Sequence, residues 1–370
     1  MQRVGVGPTS WASAERDVRR VLSQQVDAGA LVGAQYLAVT ADEILVDLHI
    51  GAVDAATSRP MERETQQMAY SITKAITAIA ALQLVDDGAL SIAQPLSHYC
   101  PHHPYGDAVL VRQLLAHTAG VPSPAPLSWF TLDGEPLDRA GRLRDVLRKN
   151  PRLRAEPGAA YRYSNLGYWL LEQVIEAASG MDFAEYVQKQ VFGPLGAAGS
   201  IGFAPVREEQ MAVGHTARFH PLGILLRAVT PKRYWTQPAG RWRRAARVVP
   251  FGRGYGGLFC AAAALAPVLG DLLRLRPQLL SPSAREQLFQ AQHLTSGKAT
   301  GGAIGWVCGS LGRARYCGKQ GGGLGFHGNL RVYRDLGLAT VLLANVTEVS
   351  AGPIDRRSDQ LDRILVGPPD

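Results

Sequence analysis

The clearest strand-like segments lie at the two ends of this chain, and that placement restricts the folds open to it. Residues 33–40 and 43–50 have strand character on either side of Ala41-Asp42, the pattern of a hairpin. Strand signals return at residues 303–308, 314–317, 330–333 and 338–345, with a turn at Asp335-Leu336-Gly337 before the last. Between these blocks the chain reads as loops and helices, clearest at 166–179, stopped by Gly180, and at 182–191, stopped by Gly193-Pro194. Another helical pattern, 11–26, precedes the first strand. Strands at both ends enclosing helices imply one sheet built from both ends of the chain. The expectation is therefore an α+β fold, an antiparallel sheet flanked by helices with a helical lobe inserted into it. Residues 1–90 and 255–370 would form the sheet-bearing lobe, and 91–254 the mainly helical one.

Ser71-Ile72-Thr73-Lys74 heads a stretch, 75–85, with almost no polarity, which ends at Asp86-Asp87-Gly88. That pattern predicts a buried helix closed by a glycine. Residues three apart share a helix face, so Lys74 can reach the Ser71 hydroxyl. A lysine near its ordinary pKa of ~10.4 is a poor base, but burial favours its uncharged form. Taken alone, the string also fits a capping serine followed by a surface lysine.

Two further motifs follow in order. Tyr163-Ser164-Asn165 lies inside residues 156–168, and Gly318-Lys319-Gln320-Gly321-Gly322-Gly323 precedes the last pair of strands. The succession Ser-x-x-Lys, Tyr-x-Asn, Lys-x-Gly resembles the serine β-lactamase and penicillin-binding superfamily. Over roughly residues 25–350 the chain looks most like the class C β-lactamase branch, with its family VIII-type esterase and peptidase relatives. Supporting phrases are Leu114-Leu115-Ala116-His117-Thr118-Ala119-Gly120, Pro157-Gly158, Pro194-Leu195-Gly196 and Gly256-Gly257-Leu258-Phe259.

The resemblance implies the β-lactamase/transpeptidase-like fold and an acyl-enzyme formed on Ser71. It makes Lys74 and Tyr163 the candidate bases, with the ammonium groups of Lys74 and Lys319 favouring a Tyr163 phenolate. Asn165 is expected to orient Lys74 or a substrate amide, although it also fits a helix cap. Backbone N–H groups of Ser71 and Gly322 would form the oxyanion hole, the glycines at 321 and 322 allowing close approach. Lys319 and Gln320 complete the expected substrate-binding set. His117 and His327 read as packing residues. The chain departs from the pattern at Gln320, where β-lactam-binding relatives typically carry a hydroxyl. That departure favours a carboxylesterase on small or medium esters over a β-lactamase, a D-amino-acid peptidase or an acyltransferase sharing the same acylation step.

The formal net charge of +8 is concentrated in one region: from residue 210 to 270 there is no acid and there are nine Lys and Arg. Aromatic and aliphatic residues interleave with those cations at 218–253, most densely at Arg241-Trp242-Arg243-Arg244. Prolines break the segment, which reads either as an irregular part of the helical lobe with solvated arginines or as a basic flap over the site mouth able to touch an anionic membrane surface. No nucleic-acid recognition motif accompanies the charge. The four cysteines lack metal-ligand spacing, so neither metal nor other cofactor is expected. A two-residue loop at Gly312-Arg313 would set Cys308 opposite Cys317. The first nine residues lack a secretory pattern and no run reaches ~18 apolar residues, which suits a cytoplasmic enzyme.

Overall fold

The structure, a computed structural model, describes residues 10–124, 127–205, 208–347 and 353–367. The first nine residues, which carry the reading of the chain's start, lie outside the described residues. Six strands build the main sheet: β1 (Gly33–Val39), β2 (Ile44–Gly51), β3 (Val307–Leu311), β4 (Ala314–Gly322), β5 (His327–Tyr333) and β6 (Leu338–Ala344). Every pairing is antiparallel and the order is β3-β4-β5-β6-β1-β2. The N-terminal hairpin joins the C-terminal strands through β1 and β6, where Tyr36 lies opposite Leu342. This is the α+β architecture that the sequence predicts.

Strands β1, β5 and β6 are buried along their whole length, because the sheet is the middle of three layers. Successive side chains on a strand point to opposite faces. Tyr36, Ala38 and Leu342 therefore pack with Val18, Leu22 and Leu361 of the terminal helices Trp11–Asp27 and Ile354–Val366. Leu37, Val39, Val341 and Leu343 face the other way, onto Ile72, Ile76 and the inserted lobe. The helix Thr73–Asp86 is apolar all round because it is buried between that sheet face and the helix Asn165–Ser179. It stops where Gly88 takes a left-handed φ of 72°.

Residues 303–306 differ from expectation, since β3 begins only at Val307. Gly305, at φ 79°, is drawn so close to the Ser71 helix that a Cβ there would lie 2.7 Å from Ala78 Cβ and 2.9 Å from the Lys74 carbonyl. That contact pulls the segment out of the sheet. The two-residue loop at Gly312-Arg313 forms as predicted, with Cys308 opposite Cys317 and the free thiols 3.6 Å apart.

Segment 91–254 combines helices with short strand pairs. Phe130–Leu132 pairs with Val248–Pro250, and His215–Ala217 pairs with Trp242–Arg244. These ribbons fix the basic segment in place. Trp242 is buried, and Arg244 forms a 2.5 Å ion pair with the buried Asp54. None of the described residues of 218–253 lines the cleft that holds Ser71.

Candidate active site

Ser71 sits in a single 3-10 turn, Tyr70–Ile72, immediately before the helix Thr73–Asp86. Tyr70 carries φ 45°, a value rare for a residue with a side chain and persistent only where the surroundings impose it. The surroundings do so here. The Tyr70 hydroxyl donates to the Leu324 carbonyl at 3.0 Å, and Thr73 Oγ1 donates to the Tyr70 carbonyl at 2.6 Å. From the sheet side, Gly321 of β4 comes so near that a Cβ on it would fall 1.9 Å from the Ala69 carbonyl oxygen. Glycine at 321 thus lets the strand touch the turn that presents Ser71.

Lys74 is fully buried one turn on, and its Nζ donates to Ser71 Oγ at 3.1 Å, Asn165 Oδ1 at 2.8 Å and the Tyr255 carbonyl at 2.5 Å. Desolvation, followed by repulsion from Lys319, holds its pKa well below the ordinary lysine value. Burial alone brings the Lys319 amine down to about 7. Both amines are thereby poised to lose their protons far more readily than surface lysines.

On the opposite side of Ser71, the Tyr163 hydroxyl donates to Oγ at 2.8 Å. Ser164 supplies the helix cap, accepting from Gly167 N–H at 2.9 Å, which frees the Asn165 side chain for Lys74. The Tyr163 ring lies 4.4 Å from the His117 ring, centroid to centroid. His117 in turn accepts from Ser164 N–H at 3.2 Å. Burial first, then Lys319 and Lys74, holds the His117 imidazole well below its ordinary pKa, so it packs as a neutral ring. The phenolate expectation for Tyr163 is not met. Lys74 and Lys319 each stand over the ring face, 5.0 Å from its centroid, and desolvation raises the phenol above its ordinary pKa. The ring is still 39% exposed, so solvent weakens the upward push, yet the phenol is neutral at pH 7 either way.

A cleft of about 370 Å³ opens onto Ser71, lined also by Tyr163, Lys319, Gln320, Gly321, Gly322 and Asp355. The structure thus gathers Ser71, Tyr163, Lys319, Gln320, Gly321 and Gly322 around one space, with Lys74 bonded to Ser71 and Asn165 bonded to Lys74. His327 is turned elsewhere, its ring bonded to the Val346 carbonyl at 2.5 Å and near Arg357 at 3.4 Å. Gln320 Nε2 donates to the Asp355 carboxylate, which also accepts from Asn329 at 3.1 Å and Arg331 at 3.3 Å. Sequence reading missed Asp355. It belongs to no motif, and only the register that sets Gln320 beside Asn329, together with the packing of helix Ile354–Val366 on β5, brings it to the cleft. Among the described residues no group of His, Cys, Asp and Glu is placed to hold a metal ion.

Comparison with known proteins bears on the family and the fold. Penicillin-binding protein 4* of Bacillus subtilis (strain 168) is 31% identical over 164 residues, 43% of this chain and 36% of its own length. The alignment thus spans little more than a third of that relative. Among solved structures, D-amino acid amidase from Ochrobactrum anthropi SV3 superposes with a TM-score of 0.79 at 18% identity, covering 96% of this chain and 98% of the amidase. EstCE1, described as a hydrolase with promiscuous acyltransferase activity, gives 0.72 at 20% identity, covering 96% and 99%. At such identities these two show the fold. The family model described as Beta-lactamase matches residues 18–362, nearly the whole chain, and the chain belongs to that family.

Proposed function

We propose that this serine hydrolase acts on small or medium carboxylic esters through an acyl-enzyme on Ser71. The observation that carries the reading is the placement of Ser71 Oγ between Lys74 Nζ at 3.1 Å and Tyr163 OH at 2.8 Å, at the mouth of the cleft. Lys74, whose pKa is lowered by burial, gives up its proton readily and in its neutral form takes the Ser71 proton as Oγ attacks the ester carbonyl. Backbone N–H groups of Ser71 and Gly322 hold the resulting oxyanion. The proton then passes by way of Tyr163 OH to the departing alkoxide, and water releases the acid by the reverse route. Asn165 fixes Lys74 through its 2.8 Å contact, and Lys319 adds positive charge over the Tyr163 ring.

The Gln320–Asp355 pair supports esters over β-lactams. A β-lactam brings a carboxylate, and here it would meet a carboxylate already engaged by the Gln320 amide. The same Asp355 favours one second reading, hydrolysis of D-amino-acid amides, because it can pair with a substrate ammonium group. A parallel assay of the purified protein on short and long p-nitrophenyl esters, a chromogenic cephalosporin and a D-alanyl amide separates these readings. Highest kcat/KM on an ester supports the proposal; a higher value on the amide selects the second reading, and on the cephalosporin overturns both.

A further inference from the structure

The helix Pro221–Val229 presents its apolar side to solvent. Positions 221, 224, 225, 228 and 229 follow the i, i+3, i+4, i+7, i+8 spacing of one helix face, and all five are exposed. Ile224, Leu225 and Val229 are 55%, 58% and 61% exposed, and the adjoining Phe219 is 72% exposed. The helix cannot roll to hide them. Its opposite side is seated through Gly223, where a Cβ would fall 2.1 Å from the Ala217 carbonyl oxygen of the underlying ribbon.

Around this face stand cations without acids. Arg233, Arg244, Arg247 and Arg253 are paired to Glu135, Asp54, Asp133 and Asp182. Among the described residues no carboxylate pairs with Arg218, Arg227, Lys232, Arg241 or Arg243. Arg243 Nε is buried with no hydrogen-bond partner, and its guanidinium rests 5.7 Å from the Trp235 ring centroid. Desolvation, then the positive charges of Arg227 and Arg218, depress its pKa. A group of this kind is completed by an anion.

We propose that this helix docks the protein on an anionic lipid bilayer, its apolar face entering the headgroup boundary while Arg218, Arg227 and Arg243 meet lipid phosphates. Self-association fits less well, because a two-fold contact would bring the same unpaired cations against their own copies. Of the run Arg241-Trp242-Arg243-Arg244, Trp242 and Arg244 take no part in this contact, since Trp242 is buried and Arg244 is bound to Asp54.

Vesicle flotation with the full chain tests this, using phosphatidylcholine vesicles with and without phosphatidylglycerol. The wild type is expected to float with the anionic vesicles alone and to be released as salt rises. Each basic residue near such a surface is worth roughly fivefold in partitioning, so R218Q/R227Q/R243Q should bind on the order of a hundredfold more weakly. L225E/V229E, altered only at exposed positions, should lose flotation while keeping the wild-type melting temperature. Absence of wild-type flotation, equal flotation with neutral vesicles, or flotation of L225E/V229E like the wild type would each overturn the proposal. So would a wild-type dimer in sedimentation velocity that L225E/V229E abolishes without any vesicle binding.

Discussion

Buried amines set the behaviour of this site at the scale of single residues. Lys319 has its pKa depressed to about 7 in the folded chain, against an ordinary 10.5. Between those values the unfolded chain binds more protons, so stability should rise with pH through that window and level off beyond it. Denaturant midpoints from pH 7 to 10 should show the rise, and Lys319→Met should flatten it; Lys74, shifted the same way, keeps part of the slope. Below pH 7 Lys319 contributes no further dependence. Catalysis depends on the neighbouring network. Lys74→Ala and Tyr163→Phe should each lower kcat/KM by at least ~10²-fold with the fold intact, as expected for loss of acid-base catalysis. Because both touch Ser71 Oγ, the double variant should lose much less than the product of the two. Multiplicative losses would show that the two residues do not share one proton path.

At the scale of elements, the contact between β4 and the Ser71 turn is the most sensitive. A methyl group at Gly321 has no room beside the Ala69 carbonyl, so Gly321→Ala should cost about 1–3 kcal/mol of stability as strand and turn part. A displacement of that order at a nucleophile should lower turnover by up to ~10²-fold. A melting curve and a p-nitrophenyl acetate assay check both; an unchanged rate would mean that β4 does not set the position of Ser71. The main sheet was legible because hydrophobic period and turn residues coincide there: the hairpin at 33–50, the loop at Gly312-Arg313 and the turn at Gly337 all appear at their expected places. Where tertiary contact decides, sequence said less. Gly305 is pulled from strand to loop by the Ser71 helix, and Asp355 reaches the cleft only through packing of the last helix. The anchoring of 218–253 draws on partners distant in the chain, among them Asp54 for Arg244, Glu135 for Arg233 and Asp133 for Arg247, which nothing in the segment itself announces.

Across the whole molecule, one three-layer body carries two surfaces with different chemistry. The cleft ends at the Gln320–Asp355 pair, whereas the face around Pro221–Val229 is cationic and apolar. Among the described residues no helix is long and apolar enough to cross a membrane. If the cleft chemistry sets substrate choice, Gln320→Thr, which introduces the hydroxyl typical of β-lactam-binding relatives and removes the amide from Asp355, should raise kcat/KM for a cephalosporin more than for an ester. Equal changes on both substrates would leave Gln320 without a part in selectivity. In the proposed reaction Ser71 Oγ is the acyl-accepting atom. Intact-protein and peptide mass spectrometry after acid quench of a p-nitrophenyl ester reaction tests it most directly. One added acyl group is expected on the peptide containing Ser71, absent in Ser71→Ala; an acyl group on any other residue, or its persistence in Ser71→Ala, would rule out Ser71 as the nucleophile.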